Sequence, residues 1–254
     1  MKSGVTSSSY PALANGTVKT MIGNRLARLL TLMLFVIAAP VEAAQPLVTD
    51  DAAVVAPKTC QLEAWTRSAH DGRAYGAHPA CNFTGNLELT VGGARAKPDD
   101  GESSSIVQLQ AKTVLSPLGE GAWSFGMVAG GGRDTGAPHG DSAFQLYYAK
   151  GLVSWYLRSD LEIDLNLGAA TAYGAGTFTL AGAAIQYAVI NNVQLLAEAF
   201  RDEPRSTKYQ VGARYIIVPD RFEAYASYSN RFNASTAQWS AIVGIRVQMA
   251  AFLP

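Results

Sequence analysis

The stretch Leu161-Glu162-Ile163-Asp164-Leu165-Asn166-Leu167 decides the fold class. Leu and Ile take every second position and Glu, Asp and Asn the positions between, a period of two that sends the sets to opposite faces of an extended strand. A helix would scatter the polar side chains around its circumference. The alternation recurs in Lys208, Gln210, Gly212 and Arg214 against Tyr209, Val211, Ala213 and Tyr215. It returns in Trp239, Ala241, Val243, Ile245, Val247 and Met249 against Gln238, Ser240, Gly244, Arg246 and Gln248. Segments of about ten residues with one apolar and one polar face are the signature of a transmembrane β-barrel.

Working outward from these segments, strands are expected at 60–69, 73–83, 86–96, 106–115, 122–131, 143–157, 161–172, 177–189, 193–201, 207–217, 221–230 and 237–249. An even number returns both barrel ends to the periplasmic side. The expected class is all-β: a transmembrane antiparallel up-and-down β-barrel of about twelve strands over residues 60–254. Inward turns read as tight at Thr84-Gly85-Asn86, Arg158-Ser159-Asp160, Asn191-Asn192 and Pro219-Asp220. Outward loops read as longer and more polar at Lys97 to Ser105 and Gly132 to Ser142, with a long inward Ser116 to Gly121 and a short outward Asp71-Gly72 as exceptions.

The N-terminal region reads as an address. Residues 1–20 are polar and aperiodic, a dispensable or non-native extension before a second Met at position 21. Residues 21–43 follow the pattern of a signal peptide: Arg25 and Arg28, an apolar run from Leu29 to Ala39, then Val41-Glu42-Ala43 before a cut after Ala43, or after Ala44. That run is shorter than the ~20 residues of a spanning helix. Residues 44–59 are expected as a periplasmic N-terminal segment, within which Thr49-Asp50-Asp51 is open to three readings: a divalent-cation site, a solvated stretch, or a plug in the barrel.

Charged residues make up 16% of the chain, with 24 Gly, 11 Tyr and 4 Trp, against roughly 25% charged in soluble domains. The first 43 residues hold Lys2, Lys19, Arg25 and Arg28 against Glu42, so their removal from twenty charges of each sign leaves 16 positive and 19 negative, a net −3. No basic field exists for a nucleic acid partner.

Cys60 and Cys81 are the only cysteines, and in an exported protein they are expected to bridge. With Asp71-Gly72 as a two-residue turn, His70 faces Arg73 and the cysteines become diagonal neighbours at the periplasmic end, so that a bulge or longer turn is needed to join them. The alternatives are two free thiols or part of a metal site, for which the ligand set is incomplete. No metal and no cofactor is expected.

Pro46-Leu47-Val48-Thr49-Asp50-Asp51-Ala52 ahead of Cys60-Gln61-Leu62-Glu63-Ala64-Trp65, then Pro79-Ala80-Cys81-Asn82 and Gly85-Asn86-Leu87-Glu88-Leu89, resembles uncharacterised proteins related to the phenol meta-pathway outer-membrane family. The resemblance implies a barrel of about twelve strands in the bacterial outer membrane, a proposed role in uptake of hydrophobic or aromatic compounds, and no catalytic residues. The chain departs from barrels that finish on an aromatic by ending Ala251-Phe252-Leu253-Pro254. Its signal to the barrel assembly machinery would then rest on Gly244, Val247, Met249 or Phe252.

Alternation assigns Glu63, Arg67, Glu88, Lys112, Glu162, Asp164, Glu198, Lys208, Arg214, Glu223 and Arg246 to the lumen, because a charge facing lipid near the midplane costs about 2–4 kcal/mol for Lys or Arg. They read either as a mixed-sign lining that filters a solute or as a network of ion pairs filling a narrow lumen. Glu162 and Asp164 are expected to pair with Arg or Lys across it. Tyr147, Tyr148, Trp155, Tyr156, Tyr209, Tyr215, Tyr225 and Tyr228 are candidates for interfacial girdles or for an aromatic-solute path.

His70, His78 and His139 are dispersed, no G-x-S-x-G motif occurs, and Gly130-Gly131-Gly132-Arg133 lacks the helix and Lys-Ser or Lys-Thr of a phosphate loop. The expectation is not an enzyme. It is a channel or transporter for small solutes, hydrophobic or aromatic ones among them, with outer-membrane lipid and the assembly machinery as partners. The alternative is a closed structural or partner-binding barrel.

Overall fold

The computed structural model describes residues 47–116, 123–135, 144–232 and 238–250. The signal-peptide reading of residues 21–43, the extension 1–20 and the terminal Phe252 lie outside them.

Twelve strands form one closed antiparallel barrel, each paired with its neighbours in sequence and β1 paired with β12. They are β1 Cys60–Ala69, β2 Gly72–Asn82, β3 Leu87–Pro98, β4 Ser104–Ser116, β5 Trp123–Asp134 and β6 Leu146–Arg158. The second half holds β7 Leu161–Ala172, β8 Gly176–Ile190, β9 Val193–Glu203, β10 Ser206–Val218, β11 Phe222–Arg231 and β12 Ser240–Met249. Closure removes the unpaired edges that a sheet would otherwise expose to lipid. Strands β3, β4 and β5 extend past their expected outer ends, so the β3–β4 connection shortens to residues 99–103.

The outward face is apolar. Leu89, Val91, Leu109, Met127, Leu165, Leu167, Ile185, Leu195, Val211, Val243 and Ile245 are all exposed. Two aromatic levels flank this band, as at the two interfaces of a membrane barrel. Trp123, stacked on Trp155 at 4.8 Å, shares the end of the strand termini with Tyr187 and Tyr215, whereas Tyr75, Tyr147, Tyr173 and Trp239 mark the other. Of the girdle candidates, Tyr148, Tyr156 and Tyr225 belong elsewhere: they share the inward parity of Lys150, Ser154 and Glu223 on their own strands.

The first hairpin corrects the turn assignment. Ala69 pairs with Gly72, so the two-residue connection is His70-Asp71, one position earlier than expected. Moving the turn by one shifts the register by two, and Cys60 falls directly opposite Cys81 with a Cα–Cα distance of 4.1 Å. The disulfide closes without the bulge or longer turn that the other register required.

Candidate functional site

Residues 47–59, expected as a periplasmic lead-in, run inside the barrel: Leu47, Thr49, Asp50, Ala52, Val55 and Thr59 are buried. A segment without a ladder of its own leaves its backbone donors to be satisfied by other groups, and here inward side chains supply them. Glu198 on β9 accepts the N–H groups of Val48 and Thr49, each at 2.8 Å. Asn166 on β7 accepts Asp50 N–H at 2.8 Å through Oδ1 and donates Nδ2 to Asp50 O at 2.8 Å.

Lower in the lumen, Ala52 N–H reaches Ser154 Oγ and Ser124 Oγ donates to Ala52 O, both at 2.8 Å. Glu88 accepts Val55 N–H at 3.0 Å, and Asn82 Nδ2 donates to Val55 O at 2.6 Å. Lys58, at φ 59°, then turns the chain into β1. Small wall residues make room for the segment. A side chain at Gly182 would run into Thr49, and Ala52 packs with Val128 and Leu152 while Leu47 packs with Ala184 and Leu196.

Two ion pairs complete the attachment. Asp50 meets Lys150 Nζ at 2.5 Å and Asp51 meets Lys112 Nζ at 2.7 Å. Burial works to raise the Asp51 carboxyl, but Lys112 outweighs it, and the group is held below its ordinary 3.8. Both carboxylates therefore serve lysines rather than a cation, and among the described residues no group of three His, Cys, Asp or Glu side chains is placed to hold a metal.

Among the described residues, the bonds to this segment come from β2 to β7 and β9. The wall made by β10, β11, β12, β1 and β2 is organised differently. Across it the register sets Glu223, Arg246, Glu63 and His78 in one row. The next row holds Arg214, Tyr225, Gly244, Trp65 and Gly76. Glu223 bridges the arginines, at 2.7 Å from Arg246 Nη2 and 3.5 Å from Arg214 Nε, while Arg214 Nη1 donates to Gln194 at 3.1 Å.

The glycines of the second row let the rings lie against the wall. A Cβ at Gly76 would meet the Trp65 ring, and one at Gly244 would meet the Tyr225 ring. Even so, among the described residues Trp65 Nε1 and Arg246 Nε make no hydrogen bond, and Arg214 Nε has only Glu223 before it, at 3.5 Å. Glu63 and Tyr225 lie beside each other on this wall, close enough for the hydroxyl and the carboxyl to interact.

The remaining charges expected in the lumen sort as follows. Lys208 pairs with Asp202 at 3.2 Å and Glu203 at 2.7 Å, and Glu203 also takes Arg231 at 2.8 Å, a cluster near the outer end. Arg67 lies on the inward row of β1, two positions beyond Trp65. Asp164, fully buried, departs from the expected cation pairing: its donors are Ser154 Oγ and Gln186 Nε2, the latter at 2.8 Å. Glu162 sits in register with Tyr156 and Gln186.

Sequence reasoning missed Lys150, Ser124, Ser154, Asn166 and Asn82 as lumen contacts. Lys150 was within reach of the parity argument, lying between Ala149 and Gly151 with Tyr148 and Leu152 on its own face. The neutral side chains carry no comparable signal, because their partners are backbone groups of the segment.

A family model described as "Uncharacterised conserved protein UCP029691" matches residues 31–249. No curated protein matches the chain. Among solved structures, a KdgM porin superposes with a TM-score of 0.60 at 12% identity, covering 74% of this chain and 98% of the other. A NanC porin gives 0.56 at 13% identity, over 75% and 100%. The COG4313 outer membrane channel from Pseudomonas putida F1 gives 0.56 at 11% identity, over 78% and 97%. At such identities the likeness is one of fold, a closed β-barrel.

Proposed function

Because the chain belongs to the family described as "Uncharacterised conserved protein UCP029691", whose description assigns no activity, we propose its function from the lumen: an outer-membrane channel for small solutes, narrowed by its own N-terminal segment. One observation carries the reading. Among the described residues the segment is bonded to one side of the barrel, while the opposite wall lines the lumen with charged side chains, Arg214, Glu223 and Arg246, that pair with one another. A barrel that served only as a scaffold gains little from such pairs, since well-packed apolar side chains in their place are often as stable or more so. The lining expected from sequence, Glu63, Arg214, Glu223 and Arg246 above all, is proposed as the polar side of the path.

Hydrophobic or aromatic solutes are the first to try, on the strength of the resemblance to the phenol meta-pathway family. Planar-bilayer conductance and liposome uptake of small aromatic acids test the proposal. A folded protein that shows neither would end it.

The segment itself favours a second reading, a closed barrel whose outer loops contact a partner. In that case, deleting residues 99–103 would abolish a cellular phenotype and leave permeability as it was.

A further inference from the structure

We infer that the outward face of β2, β3 and β5, at the outer end of the barrel, binds the phosphorylated headgroup of an outer-leaflet glycolipid of the lipid A type. Side-chain parity places the groups. On β2, Arg73 shares the outward row of Tyr75, Ala77 and Pro79, and on β3, Arg95 and Lys97 share that of Leu89 and Val91. All three cations are exposed. They face away from the lumen, at the upper margin of the lipid-facing band.

The register gathers them. Arg73 lies directly opposite Lys97, and Arg95 directly opposite Tyr75, the next outward pair along the same two strands. Side chains opposed in this way have Cβ atoms about 4.5–5.5 Å apart, and like charges so placed repel. Among the described residues no carboxylate relieves them. Glu63 and Glu88 have inward parity, and the turn acids Asp71, Asp99, Asp100 and Glu102 form no ion pair with them. A cationic cluster on a face that meets lipid calls for an anion that arrives with the lipid.

A fourth cation sets the spacing. Arg133 has the outward parity of Phe125 and Met127 on β5, and Val107 of β4 stands between the strands, in register with both Arg133 and Gly93 of β3. Neighbouring strands lie 4.7–4.9 Å apart, so two spacings put β5 about 10 Å from β3. Two separated cationic points suit a headgroup that carries a phosphate at each end of one disaccharide, as lipid A does. Guanidinium groups match phosphate oxygens through paired N–H donors.

The surface below the cations fits the rest of such a molecule. Tyr75, Val91 and Leu109 are exposed there and continue into the apolar band that would carry its acyl chains. Elsewhere the outer end of this face is organised differently. Thr177 and Thr179 stand there on β8 and Tyr228 and Asn230 on β11, while Arg201 of β9 is turned to the carbonyls of Glu203 and Pro204. The unpaired cations are thus gathered on one side, and a general attraction of the rim for headgroups does not account for their placement.

The test is native mass spectrometry of the folded barrel released from detergent micelles. The protein is titrated with diphosphoryl lipid A, with the same lipid lacking both phosphates, and with phosphatidylethanolamine. Wild type is set against the triple variant Arg73→Gln, Arg95→Gln, Lys97→Gln. Each basic side chain at an anionic lipid surface is worth a factor of about five, so the triple variant is expected to bind diphosphoryl lipid A about a hundredfold more weakly. Arg158→Gln, at an exposed pair with Asp160 in the β6–β7 turn at the other end of the barrel, is the control and keeps wild-type binding.

Heat-modifiable gel mobility verifies that every variant is folded, and Arg133→Gln alone gives a second reading should the triple variant fail to fold. It is expected to lower affinity about fivefold and to remove the preference for two phosphates over one. Wild-type affinity in either folded variant overturns the site, as does equal uptake of the dephosphorylated lipid or of phosphatidylethanolamine by the wild type. Inorganic phosphate that displaces lipid A at equal concentration would show a free-phosphate site and overturn the lipid assignment. The readout does not involve conductance, so it stands or falls apart from the channel reading.

Discussion

Thr49 and Glu198 are 149 residues apart in sequence and meet at 2.8 Å, the Thr49 N–H donating to Oε2 while Val48 N–H donates to Oε1 of the same carboxylate. One buried side chain on β9 thus holds the upper end of the N-terminal segment. Hydrogen bonds to a charged partner contribute about 1.5–3 kcal/mol each. Glu198→Ala should therefore release the upper end of the segment and raise single-channel conductance, with faster protease cleavage between residues 47 and 59. Conductance equal to wild type in a folded variant would show that the segment does not narrow the path.

Gly182 tests the same contact from the wall. Its missing Cβ is what lets the Thr49 side chain seat there, and overpacking typically costs about 1–3 kcal/mol. Gly182→Ala should shift the segment and increase conductance. The double variant Gly182→Ala, Thr49→Gly should restore the wild-type value, because the second change removes the atoms that the first would strike. Failure of the double variant to restore it would move the cause to the barrel wall.

Asp51 sets an acid limit on the attachment. A carboxyl held below its ordinary 3.8 contributes stability that is present above that value and is lost as pH falls through its lower folded value. Conductance should accordingly step upward only in strongly acidic buffer, below pH 3.8. Asp51→Asn should lack that step. An equal acid step in this variant would assign it to other carboxylates.

The disulfide ties β1 to β2 beside the turn where the segment enters the barrel, and it spans 21 residues of sequence. Loop closure of that length stabilises by about 3 kcal/mol through the unfolded chain. Replacing both cysteines by Ala should lower the urea midpoint of refolded barrel by a corresponding amount. Heat-modifiable mobility should persist, since the β1–β2 register is also held along ten residue pairs. Loss of the folded band would show instead that the bridge is needed for assembly.

The sequence by itself determined the strands and their number. Leu161 to Leu167 reads correctly because alternation is a local property: each residue's parity places it toward lipid or lumen, whatever lies across from it. By the same argument Glu63, Glu88, Lys112, Glu198, Arg214 and Arg246 could be named from their strands alone. Tertiary structure decided the rest. Cys60 meets Cys81 because the turn forms at His70-Asp71, one residue from where composition suggested, and a single step there moves every pairing in the hairpin.

Nor could sequence tell Asp50 and Asp51 as a cation site from the same residues as anchors, since Lys150 and Lys112 come within reach only when the sheet closes on the segment. The backbone donors of residues 48–55 have no signature of their own. Their partners are chosen by a closed barrel that brings Glu88, Ser154, Asn166 and Glu198 around one strip of chain. That is why the fold was legible residue by residue, and why the occupied lumen was not.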